Sequence, residues 1–353
     1  MKASLHASRS GGPRLESLRP WAAMPGGEVE LLGSALQADP ASALPLARVG
    51  DVTAHIALSR PDRAIIRLLD GTISGDVELD LGSVKSNSLA LRVAVPMAEG
   101  LHPVANPVVD SDGTVYSTMS GTRGQSVPVS VFSIARDFQM RPFVRDLMNA
   151  TGLAFGPDGF LYVSSRAEGT VYRISSGGEK SVYAEGMGIA TGIAFDGDGN
   201  LYVGDRSGTI FRVGPDRGPS SERQIFVYAT LEPSIAAYHL AFSNQGTLFV
   251  TGPTTSSNQA VYAIDRDGHT TEFYRGLGRA QGIAFDVDGN LYVAASLRGE
   301  RGIVRITPAH EASLVLSGNN LVGLAFLEDG MAALATRDAL YHVALDIEGR
   351  PLP

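Results

Sequence analysis

The sequence predicts an all-β protein, a six-bladed β-propeller preceded by a small β-sandwich. Three observations lead there. One motif recurs six times in the C-terminal three quarters of the chain. Its apolar runs are short and broken by Gly/Asp/Asn turns about every ten residues, which excludes helices. The first 90 residues also alternate short strands with Gly/Asp turns, but without the repeat.

The copies read NPVVDSDGTVY from Asn106, GLAFGPDGFLYV from Gly152, GIAFDGDGNLYV from Gly192, HLAFSNQGTLFV from His239, GIAFDVDGNLYV from Gly282 and GLAFLEDGMAAL from Gly323. Their turn glycines, Gly113, Gly159, Gly199, Gly246, Gly289 and Gly330, are spaced by 46, 40, 47, 43 and 41 residues. A period of about 40–50 residues made of short strands is that of propeller blades. Within a unit, an apolar run, a D-G turn and a second run predict a hairpin, as in Ile193–Phe195, Asp198-Gly199 and Leu201–Val203. A third strand follows (Val171–Ile174, Thr209–Val213, Ile303–Ile306) and a fourth precedes the next copy (Ser181–Tyr183, Ile225–Tyr228, Thr271–Tyr274). One such sheet cannot bury both faces, so neighbours stack. The sixth copy lacks a fourth strand. Leu91–Val95 is expected to supply it and close the ring. The propeller is placed at residues 94–353.

Residues 21–93 run through GGEVELLGSAL, ARVGDVTAHIALS, RAIIRLLDG, GDVELDLG and SNSLALRVA, short strands that fit a sandwich. Residues 1–20, rich in Ser, Gly, Pro and Arg, are expected to be disordered.

Composition narrows the function. The net charge of −8 argues against nucleic acid or an anionic membrane as partner. The absence of cysteine removes disulfides, thiolate metal sites and cysteine nucleophiles. No run reaches the roughly 18 apolar residues of a membrane span, and MKASLHASRSGGPRLESLRP holds no signal-peptide core. A soluble chain, cytoplasmic by default, is expected. No signal for an oligomeric state is present.

With the motif G-[IL]-A-F-x-x-x-G-x-[LF]-[YF]-V laid out, residues 94–353 resemble an NHL-repeat six-bladed propeller of the gluconolactonase and senescence-marker lactonase-like superfamily. Three copies match cleanly and three are degenerate. Residues 25–93 resemble an IPT/TIG, immunoglobulin-like domain on Gly33 of VELLGSAL, the VGD of Val49–Asp51 and the closing SGDVELDLGSVKSN. The superfamily resemblance implies a divalent cation in the channel, held one residue before each inner-strand glycine. Ala105, Thr151, Thr191, Tyr238, Gln281 and Val322 stand there, and none is acidic. Hard cations ask for several oxygens and normally a carboxylate. No metal or other cofactor is therefore predicted. Were Ca or Zn to bind, Asn106, Asp205 and Gln281 would be the candidates, with Glu232 a further carboxylate.

DGDGN at Asp196–Asn200 and DVDGN at Asp286–Asn290 look like cation loops, but an EF-hand needs glycine at its sixth position and Leu201 stands there. Hairpin turns are the reading adopted. No G-x-S-x-G elbow, phosphate loop or H-E-x-x-H motif occurs.

Loops entering the inner strand and loops leaving the second strand emerge at the same end of a propeller. The first set holds His102, Asn149, Tyr238, His239, Arg279 and Asn320. The second holds Arg123, Gln125, Arg166, Asp205, Arg206, Arg298, Arg301 and Arg337. Seven arginines thus gather at one end of an acidic protein, each a planar fork suited to carboxylate or phosphate. The competing reading pairs them locally with Glu168, Asp205, Glu300 and Asp338. The expected ligand-binding set is Asn106, Asn149, Thr151, Arg166, Thr191, Asp205, Arg206, Tyr238, His239, Arg279 and Gln281. His239, which replaces the glycine of four other copies, is the candidate general base or ligand-orienting group, or else a plug in the channel. Loops Pro253–Gln259 and Pro215–Arg223 are candidate rims or plain solvated loops.

The leading reading is a binding protein that recognises an anionic or polyhydroxylated small molecule, or a carboxylate-bearing partner, at the channel mouth. A metal-dependent lactone hydrolase and a protein-interaction scaffold are the alternatives.

Overall fold

The computed structural model describes residues 12–37, 45–121, 125–215 and 223–350. They form strands and turns without helices. Contacts divide the chain into two compact units, 1–94 with 315–319, and 95–314 with 320–353.

The first unit orders its strands as Arg14–Arg19, Glu28–Ser34, Arg63–Arg67, Val52–Ser59, Leu46–Val49, Gly75–Asp80 and Leu89–Val93. Val52–Ser59 serves two partners. Its first residues pair with Leu46–Val49 and its later ones with Arg63–Arg67. Alternating residues turn inward, as period-two side chains must. Val29, Leu31, Ala64, Ile66, Val77, Leu79 and Leu91 join one buried core. The expectation of disorder over residues 1–20 fails for Arg14–Arg19, where Leu15 is buried and the strand pairs with Glu28–Ser34; residues 1–11 lie outside the described residues. Within this unit Ala22–Ala23 pair in parallel with Leu316 and Ser317, a pairing with no sequence signature.

The second unit is a propeller-like series of antiparallel sheets. Four are separate four-stranded sheets, three of them built in chain order from residues 108–144, 150–184 and 190–230. The fourth joins Leu321–Phe326, Met331–Thr336 and Ala339–Ala344 to Val95–Glu99, with Leu340 opposite Ala98. A strand from before the first repeat thus completes the last. It is Val95–Glu99 rather than the expected Leu91–Val95, because Leu91 and Val93 bury into the first unit's core and Gly75 pairs with Leu91. The remaining two repeats run His239–Phe242, Leu248–Thr251, Gln259–Ile264, Thr270–Gly278, then Ile283–Phe285, Leu291–Leu297, Glu300–Ile306, Ala312–Ser317. They share one continuous sheet, since Leu277 pairs with Leu297 and Gly278 with Ser296.

The motif accounts for this architecture residue by residue. All six turn glycines have φ between 70° and 82°, a region closed to most side chains. Asp196 holds its hairpin from within: Oδ1 accepts the amides of Asp198 (3.0 Å) and Asn200 (2.8 Å), and Oδ2 accepts from Asn200 Nδ2 and Tyr202 Oη. Asp286 repeats this arrangement with Asn290 and Tyr292. The tyrosine of one repeat meets the motif phenylalanine of the next edge to face. Tyr116–Phe155, Tyr162–Phe195, Tyr202–Phe242 and Tyr292–Phe326 have centroids 4.7–5.6 Å apart, and Phe249–Phe285 takes the same part at 5.0 Å. Each such pair contributes about 0.5–1.5 kcal/mol beyond its burial. At the closing junction the two positions hold Ala333 and Val109, which pack in one aliphatic cluster.

Candidate functional site

Inner strands approach most closely at the motif glycine. A Cβ on Gly152 would lie 2.3 Å from Thr191 O, and one on Gly192 2.2 Å from Tyr238 O. Neighbouring strands here do not share a regular ladder, so side chains bond the free backbone groups. Thr191 Oγ1 donates to Gly204 O (2.7 Å) and accepts Tyr238 N (3.1 Å). Gln281 Nε2 donates to Leu321 O (2.9 Å), and Thr151 Oγ1 to Asn149 O (2.9 Å). Asn106 Nδ2 donates to Ile283 O (2.7 Å) while its Oδ1 accepts Leu324 N (3.2 Å), which ties the first repeat to the fifth and sixth. Thr151, Thr191, Tyr238 and Gln281 are buried. In the layer expected to touch ligand, Thr191, Gln281 and Asn106 therefore join neighbouring repeats, while Thr151 bonds within its own.

Tyr238 lies flat against Gly204 and Gly252, whose missing Cβ atoms make its space, and its hydroxyl donates to Glu232 O. Burial, with Glu232 and Asp205 nearby, pushes its pKa up. Asp205 is buried and consumed by Ile189 N and by the Ser207 amide and hydroxyl. Gln259 pins its loop, bonding Thr254 O and Ser256 O and accepting Ala280 N.

The arginine end is different. Arg166 N bonds Asn149 O and Arg206 N bonds Ile189 O, so the ends of second strands sit beside the entry loops of their own repeats. Arg166 and Asn149 both donate to Gly121 O, and Arg206 Nε donates to Ser234 O. The local ion pairs of the competing reading do not form among the described residues. Among the described residues, Arg166, Arg206, Arg279, Arg298, Arg301 and Arg337 pair with no carboxylate. Glu168 accepts instead from Tyr172 Oη, and Asp338 from Thr336 Oγ1. Arg166 is half-buried and the other five are exposed. Desolvation, then the neighbouring charge of Arg206, lowers the Arg166 pKa. Arg123 and residues 216–222 lie outside the described residues.

A cavity of about 1140 Å³ opens at the opposite end, where the inner strands reach their turns. Of the expected site residues, Asn106 and His239 line it. Sequence reasoning missed the rest. The F of the motif marks five of its strand ends, but the tail residues Asp346 and Glu348–Arg350 carry no repeat signal.

The residues present do not fit a hard cation at the channel. The positions before the inner-strand glycines hold no acid, their amide and hydroxyl groups are engaged with backbone, and the Asp205 carboxylate is spoken for.

Residues 192–213 match the family described as strictosidine synthase-like, N-terminal. No curated protein matches the chain. Among solved structures, a candidate gluconolactonase is 18% identical with a TM-score of 0.59, covering 74% of this chain and 94% of its own. A gluconolactonase from Xanthomonas campestris is 15% identical at TM-score 0.58, covering 72% and 89%. An auxiliary nutrient binding protein from Bacteroides ovatus is 12% identical at TM-score 0.53, covering 95% and 98%. At these identities the likeness is one of fold, a β-propeller.

Proposed function

We propose that this chain is a binding propeller of the gluconolactonase-like superfamily, and that it recognises an anionic molecule bearing carboxylate or phosphate at the arginine end. The observation that carries this reading is the set of six described arginines without a carboxylate partner, with Arg166 and Arg206 close enough to repel. Like charges left together in an acidic protein are relieved by a bound anion, and guanidinium forks grip one in two places. We read the second unit as six blades. The repeats from His239 and from Ile283 count as the fourth and fifth, and the six positive-φ turn glycines and the matched Ala333/Val109 junction support that count. We read the first unit as an IPT/TIG-like sandwich on its motif residues.

The lactone hydrolase reading has the likeness to gluconolactonases on its side but lacks a donor set for a metal. The test is calorimetric titration of the full chain with citrate. Arg166→Ala with Arg206→Ala is expected to weaken binding at least about tenfold, the loss of one charge-assisted bond or more. Unchanged affinity would remove the proposal.

A further inference from the structure

We propose that the chamber at the turn end is a second binding site, taking a neutral, largely apolar small molecule whose hydroxyl group bonds Nε2 of His239. The chamber is slightly larger than the roughly 300–1,000 Å³ typical of small-molecule pockets. Its walls are the turn-ward halves of the inner strands, including Leu153, Ile193, Phe242, Phe285 and Phe326. On the far side Gly152 with Thr191 and Gly282 with Gly323 pinch neighbouring inner strands together.

His239 stands at that pinch. Glycine at this position in four other repeats lets neighbouring strands touch; the remaining two hold Asn106, whose carboxamide is bonded to Ile283 O and Leu324 N, and His239. His239 is 3% exposed, and its Nε2 has no hydrogen-bond partner. A buried polar atom left unpaired costs about 1–3 kcal/mol and calls for a reason. A ligand group supplies one. The ring carries no charge at neutral pH, because burial holds its pKa down to about 3. It therefore offers an anion no opposite charge, whereas a hydroxyl both donates and accepts and suits either tautomer.

The mouth is partly crossed by the C-terminal tail. Arg350 N bonds Phe285 O (3.0 Å), Val287 N bonds Glu348 O (3.1 Å), and the Arg350 guanidinium donates to Phe242 O. A ligand would lie between this tail and the pinch, at the end of the propeller remote from the arginines.

The experiment uses the full chain and the neutral fluorophore N-phenyl-1-naphthylamine, displaced by 2-naphthol or by naphthalene. Both should displace it, 2-naphthol about fivefold to tenfold more tightly, the worth of one hydrogen bond. His239→Leu should erase that difference and keep naphthalene binding. Ala284→Phe, which fills the chamber from a lining position, should abolish both while citrate binding persists. In the unaltered protein, 2-naphthol should shift the imidazole 15N resonance of His239. Equal affinity for the two probes, an unmoved His239 resonance, or no displacement by either would overturn the proposal.

Discussion

His239 illustrates how one side chain sets a measurable property of this fold. Its pKa falls from the ordinary histidine range to about 3 because burial disfavours the imidazolium. The unfolded chain then binds the extra proton between about pH 6.5 and 3, so stability present at neutral pH declines as pH falls through that window. About 2 kcal/mol should be lost between pH 7 and pH 5 from this residue, at 1.36 kcal/mol per unit below its unfolded pKa. Denaturant titrations of the wild type and His239→Leu at the two pH values measure it; parallel losses in both would show that other groups are responsible. The motif glycines act oppositely, through what they lack. Gly192→Ala drives a Cβ against Tyr238 O and should cost about 1–3 kcal/mol, read as a lower denaturation midpoint.

The element that repeats is a hairpin bound by its own aspartate. Removing the Asp196 carboxylate strands two amides, the Asn200 carboxamide and the Tyr202 hydroxyl. Asp196→Ala should therefore destabilise by about 2–3 kcal/mol and raise amide exchange in that hairpin first. Unchanged exchange at Asp198 and Asn200 would contradict this account of the turn. Hairpins were legible in the sequence because D-G turns and apolar runs are local signals, and the third strand Thr209–Val213 was placed to the residue. The closing strand was misplaced by about four residues. Leu91 and Val95 both begin apolar alternation, and only tertiary burial decides which sheet each joins. Disorder was expected where Arg14–Arg19 pairs, because a strand partnered by a distant segment leaves no local mark. The candidate site was less legible. The entry-loop layer showed the right residue types, but polar side chains serve strand-to-strand stitching as readily as ligands, and only geometry separates the two uses.

At the scale of the molecule, charge placement matters more than charge total. A net charge of −8 coexists with an end where six described arginines lack carboxylate partners. Sequence topology brought those arginines to one end, since entry loops and second-strand termini share it. It did not reveal that their acidic neighbours are engaged elsewhere, which depends on hydroxyl and amide donors folded against Glu168, Asp205 and Asp338. An electrostatically driven site weakens with salt. Citrate affinity should therefore fall severalfold between about 0.05 and 0.5 M sodium chloride, and 2-naphthol affinity should not. The most direct test of anion recognition follows the arginine side-chain Nε–H resonances during a citrate titration. Saturable shifts at Arg166 and Arg206, with Arg67 (held by Glu28) unmoved, are the predicted result. Shifts absent at Arg166 and Arg206, or spread equally over all arginines, would contradict it.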